Sequence, residues 1–198
     1  MDIAILTFDG FNELDSFIAS AILNRMKPHG WNVQITCPTD VVTSMNGVEV
    51  VAQQPLEFAN QADAVLFGSG MLTRQIATDQ TILSRLSLEP NRQIIGAQCS
   101  GTLLLAALDL LNGVSACTDL TTKPWVQDLG IEVLEQPLHA HHNVATSGGC
   151  MSSQYLAAWV IAKLADREQA ESAIYYVAPV GEKEETIRHC MSVIEAYL

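Results

Sequence analysis

The chain has 198 residues, 48% hydrophobic and 16% charged, which excludes a disordered polymer and suffices for a large core without disulfide or metal support. Ten Lys and Arg against 22 Asp and Glu give a formal charge of −12, so phosphate backbones and anionic lipids are repelled and neither nucleic acid nor a membrane surface is expected as a partner. Five cysteines with no Cys-x-x-Cys pair fit neither a disulfide framework nor a zinc ribbon.

Residues 3–8 are a nearly continuous apolar run that stops at Asp9-Gly10, the pattern of a strand buried on both faces. Leu14, Phe17, Ile18, Ala21 and Ile22 recur at helical spacing, and the pattern ends near Pro28-His29-Gly30. Residues 31–37 alternate as a second strand, and Asn46-Gly47 between the β-rich flanks of 41–52 predicts a hairpin. A third strand at 64–67 runs into Gly68-Ser69-Gly70, and 72–88 reads as a helix. The strand at 93–97 ends in Gln98-Cys99-Ser100-Gly101 and precedes a helix over 103–111 that is apolar nearly all round, hence buried. His139, His141 and His142 read as a polar loop rather than a metal site, since no acidic or cysteine ligand stands beside them. A short strand at 143–146 meets Ser147-Gly148-Gly149, followed by a second apolar helix at 155–164 and an amphipathic one at 182–198. Trp125 and Trp159 read as core or interface residues.

Strands alternating with helices predict an α/β fold over a single domain, 1–198, with a mostly parallel sheet, helices on both faces and a small β-hairpin. The first residues carry no basic segment or cleavage site, and no apolar run spans a bilayer, so a cytoplasmic location is expected.

Ligands of such sheets bind beyond the carboxyl ends of the strands. There Cys99 lies between a strand and a buried helix, with Ala97 and Gly101 as the small residues a strained nucleophile elbow requires. The following helix N-terminus is expected to lower its pKa and make it the most reactive of the five thiols. Gly68, Ser69 and Gly70 offer backbone N–H groups to a developing oxyanion. Asp15, just inside the first helix, reads either as a charge favoured by the helix dipole or as a carboxyl facing the sulfur, desolvated and protonated. Glu13 is the rival carboxylate and points elsewhere by the helical step. Cys117 and Cys150 read as packing residues ahead of resolving thiols.

Together these motifs resemble the ThiJ/PfpI superfamily, the class I glutamine amidotransferase-like proteins of flavodoxin-like, three-layer fold. The matching stretches are residues 3–15, Leu66-Phe67-Gly68-Ser69-Gly70, the elbow through Leu110-Leu111-Asn112-Gly113, and Val144-Ala145-Thr146-Ser147-Gly148-Gly149. Leu14-Asp15 and the hydroxyl of Ser100 after the cysteine most resemble the isonitrile hydratase branch, where aspartate and cysteine are the working pair and threonine follows the cysteine. The protease-like branch has histidine after the cysteine. Many relatives also carry Thr-Thr-His after the elbow helix, whereas here Asp119 or Lys123 stands at the histidine position. The branch continues its first helix with Gly-Pro, and this chain with Ser16-Phe17. The resemblance implies an enzyme that hydrates a small-molecule isocyanide to an N-substituted formamide. Cys99 would be the nucleophile, Asp15 the proton donor, and Gly68, Ser69, Gly70 and Ser100 the oxyanion and substrate contacts. It implies no cofactor, no metal, and a homodimer. The alternatives are a glyoxalase- or deglycase-like addition of Cys99 to α-oxoaldehydes and a non-enzymatic cysteine oxidation sensor.

Overall fold

The computed structural model describes residues 1–198. Its main sheet is built from β1 (Asp2–Leu6), β2 (Asn32–Cys37), β5 (Gln54–Pro55), β6 (Ala64–Phe67), β7 (Ile94–Gln98), β8 (Leu138–His141) and β9 (Val144–Ser147), while β3 (Val41–Thr43) and β4 (Glu49–Val51) form a separate antiparallel hairpin. The strand order is β5-β2-β1-β6-β7-β9-β8. All neighbours are parallel except β8, which runs against β9.

Continuous apolar strands are required because both faces are covered. Ile3, Ile5, Ala64 and Leu66 face one core, which is closed by α1 (Glu13–Leu23), α6 (Ser153–Leu164), α7 (Arg167–Val177) and α8 (Lys183–Ile194). Ala4, Leu6, Val65 and Phe67 face the other, with Leu104 and Leu105 of α4 (Thr102–Ala107) and Ile76 of α2 (Thr73–Ile76) packed on it. The remaining helices, α3 (Gln80–Leu83) and α5 (Lys123–Gln127), are single turns. The result is the expected three-layer α/β architecture with a small hairpin. No helix is long and apolar enough to cross a membrane.

Several local expectations are corrected. The stretch 72–88 is two short helices, because Asp79 caps a new one at Thr81 N–H. The elbow helix stops at Ala107, and Asp109 then takes φ +59°, outside any right-handed helix. His139 and His141 lie on strand β8 rather than in a loop. Helix α7, unassigned from sequence, buries only Ala170, Ala173 and Ile174, a weak apolar signal. In α1 the buried residues are Asp15, Ser16, Ala19, Ile22 and Leu23. The apolar stripe read from sequence is therefore turned largely outward, with Leu14 and Phe17 48% and 38% exposed. Trp159 is wholly buried and donates to Tyr197 O at 3.2 Å, while the half-buried Trp125 lies beneath the Arg74 guanidinium.

Candidate active site

Four strand ends converge at one edge of the sheet. Strand β7 ends in a 3-10 turn, Cys99–Gly101, that leads into α4, and Cys99 takes φ +47°, strained for a residue with a side chain. The turn lies so close to β6 that a Cβ on Gly101 would stand 2.7 Å from Gly68 O and 2.8 Å from Phe67 O. This is the reason an elbow needs a residue without a side chain there. At Gly70 a Cβ would meet Gly10 O at 2.5 Å, so the turns after β1 and β6 also touch backbone to backbone.

Helix α1 starts at Asn12, whose side chain caps Leu14 N–H at 3.1 Å. The cap sets the helix so that Asp15 lies on its inward stripe, fully buried. The Asp15 carboxyl accepts from Ser69 Oγ and, at 3.5 Å, from Ser153 Oγ, while its backbone carbonyl accepts from Gln98 Nε2 at 2.7 Å. Its oxygen and the sulfurs of Cys99 and Cys150 all lie within 4.8 Å of one another. Cys150, on the 3-10 turn Cys150–Ser152 after β9, places its sulfur 4.0 Å from that of Cys99 and accepts from Asn12 Nδ2 at 3.2 Å. Asp15, Cys99 and Cys150 are also the one group of side chains close enough to share a metal ion.

The electrostatics correct one expectation. Cys99 is only 4% exposed, and burial, followed by the neighbouring Asp15 carboxylate, pushes its thiol up rather than down. The turn that follows is short, and the groups around the sulfur are acidic or neutral, so nothing cationic offsets the cost of burying a thiolate. Burial also raises Asp15, against the hydrogen bonds from Ser69, Cys99, Cys150 and Ser153. The pair therefore holds one proton between two acidic groups. Cys150 is pushed up too, by burial and then by Asp15, but it is the most accessible of the five thiols. Cys37, Cys117 and Cys190 are buried and raised to about 12.

The expected donors are placed differently from one another. Gly68 N–H is taken by Leu6 O at 3.0 Å and Gly70 N–H by Ser100 Oγ at 3.2 Å. Ser100 Oγ also lies 2.9 Å from Thr73 Oγ1. These contacts bind the elbow to the β6 turn and take up the Gly68 and Gly70 N–H groups and the Ser100 hydroxyl. Ser69 differs, since its hydroxyl reaches Asp15. Glu13 points away, to Ser44 and Asn46 of the hairpin loop. Of the two residues at the histidine position, Asp119 adds its charge to Cys99, whereas Lys123 pairs with Glu135 at 2.6 Å. Gln98 and Ser153, hydrogen-bonded to each other, were not singled out in the sequence. Their only signal is adjacency to Cys99 and Cys150. Cys150, which the sequence offers as a packing residue ahead of a resolving thiol, lies with its sulfur against that of Cys99. Cys117 is buried, with its N–H bonded to Thr146 Oγ1 and its carbonyl to Thr102 Oγ1, both at 2.8 Å.

A family model described as the DJ-1/PfpI family matches residues 1–163. Among solved structures, the chain is similar to DJ-1 of Schizosaccharomyces pombe, with a TM-score of 0.75 at 18% identity over 90% of this chain and 100% of that one. It is similar to a ThiJ/PfpI family protein from Pseudomonas syringae, with a TM-score of 0.76 at 21% identity over 98% and 87% of the two chains. A third similarity is to oxidized DJ-1 of Toxoplasma gondii, with a TM-score of 0.72 at 19% identity over 89% and 97%. At these identities the likeness is one of fold. No curated protein matches the sequence.

Proposed function

Because the chain belongs to the DJ-1/PfpI family, we propose that it is a cysteine-dependent enzyme of the isonitrile hydratase type, acting on small isocyanides with Cys99 as nucleophile and Asp15 as the proton-transfer group. One observation carries the reading: a buried carboxyl of raised pKa lies within 4.8 Å of the elbow sulfur. The hydrogen bonds to this carboxyl come from hydroxyls and thiols, with no cation among them.

The chemistry follows from one shared proton. With the proton on Asp15, the Cys99 thiolate attacks the terminal isocyanide carbon. An S–C bond forms, and that carbon takes the Asp15 proton, leaving a thioimidate and an Asp15 carboxylate. The carboxylate then acts as general base. Water adds to the carbon, its proton passes through Asp15 to the imine nitrogen, and a tetrahedral adduct results. The adduct's hydroxyl proton returns to Asp15 as the C–S bond breaks, releasing the N-substituted formamide and restoring the thiolate. Ser69 and Ser153 hold the carboxyl, and Gln98 anchors its backbone.

The test is steady-state turnover of a small isocyanide. Cys99→Ser should abolish it. Asp15→Asn keeps the shape but not the proton and should lower it by about 10²–10⁴, the scale of a lost general acid–base group. Glu13→Gln should change it little. Wild-type turnover of methylglyoxal in place of isocyanide would overturn the assignment.

A further inference from the structure

We propose that Cys99 and Cys150 form a reversible intramolecular disulfide, giving the chain a second activity: two-cysteine reduction of hydroperoxides with Cys99 attacking and Cys150 resolving. The inference goes beyond the hydratase reading and needs only a reactive Cys99. The two sulfurs stand 4.0 Å apart in the reduced protein, against a bonded length of about 2.05 Å. The two side chains come from the turns that follow neighbouring parallel strands, β7 and β9, so the sheet brings them to the same end of the fold.

The two thiols are suited to different steps. Cys99 is buried beside Asp15, while Cys150 is the more accessible and its sulfur accepts from Asn12 Nδ2 at 3.2 Å. That N–H stabilises the charged Cys150 sulfur against the burial and the Asp15 carboxylate that raise its pKa. The other three cysteines are buried, Cys37 and Cys190 within the core under α6.

The steps balance. The Cys99 thiolate attacks a hydroperoxide oxygen, so an S–O bond forms and the O–O bond breaks. The sulfur gives two electrons, and the leaving alkoxide or hydroxide takes the Asp15 proton. Cys150 sulfur then attacks the Cys99 sulfenic acid. An S–S bond forms, the S–O bond breaks, and hydroxide leaves as water with the Cys150 proton. Two equivalents of a small thiol reduce the disulfide and leave as their own disulfide. Resolution by Cys150 stops Cys99 short of the sulfinic acid.

The experiment treats reduced wild type with one equivalent of hydrogen peroxide, followed by alkylation, intact mass and peptide mapping. The expected product has lost two hydrogen atoms, with the Cys99 and Cys150 peptides linked, and dithiothreitol restores the starting mass. Cys150→Ser should instead carry Cys99 as sulfinic acid at a peroxide dose that leaves none in wild type. Wild type that gains two oxygens on Cys99 while Cys150 remains alkylatable overturns the proposal. So does a cross-link between two copies. Isocyanide turnover is measured on the reduced protein, so its absence would count against the hydratase reading and leave this result untouched.

Discussion

The carboxyl of Asp15 is buried among Ser69, Ser153, Cys99 and Cys150, and burial raises its pKa above the ordinary 3.8. A folded state that binds this proton more tightly than the unfolded chain loses stability as pH rises through the interval between the two pKa values. Below the unfolded value the group is protonated in both states and that cost is absent. Asp15→Asn removes the ionisation while keeping an acceptor for Ser69. The variant should therefore be more stable than wild type at pH 7, and the difference should shrink as pH falls toward about 4, near the unfolded carboxyl pKa. Urea midpoints of both proteins at the two pH values measure this, and a pH-independent difference would place the ionisation elsewhere. The gain in stability would accompany the loss of turnover, as expected where function keeps a destabilising group in place.

Among the elements, the elbow is the most constrained. Its 3-10 turn passes over β6 so closely that Gly101→Ala sets a Cβ against two backbone carbonyls, Gly68 O and Phe67 O. Backbone cannot yield as a flexible side chain does. We expect a loss of about 1–3 kcal/mol, the usual cost of overpacking, together with a fall in isocyanide turnover as Cys99 shifts from Asp15. Thermal unfolding alongside the kinetic assay checks both, and an unchanged melting temperature would mean that the turns are not locked together. The hairpin is similarly tied in. Asn46-Gly47 was expected to form its turn. The last β3–β4 pair is Thr43 with Glu49, and Ser44 organises the loop by accepting from the N–H groups of Asn46 and Val48. Glu13 then fastens this loop to α1 through Ser44 and Asn46.

At the scale of the whole molecule, the family match ends at residue 163, yet α7 and α8 lie beyond it and contribute Ala170, Ala173, Ile174, Cys190, Met191 and Ile194 to the same core as α6. The C-terminal helices thus pack on α6 and belong to the same core. Helix α1 in turn presents Leu14 and Phe17 outward, with Met151 exposed on the turn beyond Cys150. An exposed apolar face of this kind suits a second copy, since closed two-fold pairs are the commonest assembly of soluble chains. We expect a homodimer in light scattering at micromolar concentration, and Leu14→Glu should shift it to the monomer mass. A wild-type monomer under those conditions would remove the expectation.

The sequence by itself determined the layered α/β class, because strands covered on both faces must be apolar and 3–6, 64–67 and 94–97 all are. The elbow was legible for a local reason: Ala97, Cys99 and Gly101 are within one turn of each other, and the steric need for small neighbours is written at fixed spacing. Asp15 was legible as a candidate, but local sequence left open its alternative role as a helix-end charge. What the tertiary structure alone decided concerns distance between segments. Cys150 is 51 residues from Cys99, and their contact depends on β9 lying beside β7, which no local pattern encodes. The face of α1 that turns inward was set by packing against α6, because apolar residues occur on both sides of that helix. The direction of the Cys99 shift was likewise decided in three dimensions. It sums burial and the charges of Asp15, Cys150 and Asp119, drawn from separate parts of the chain, and these outweigh the short helical turn that the sequence placed next to the sulfur.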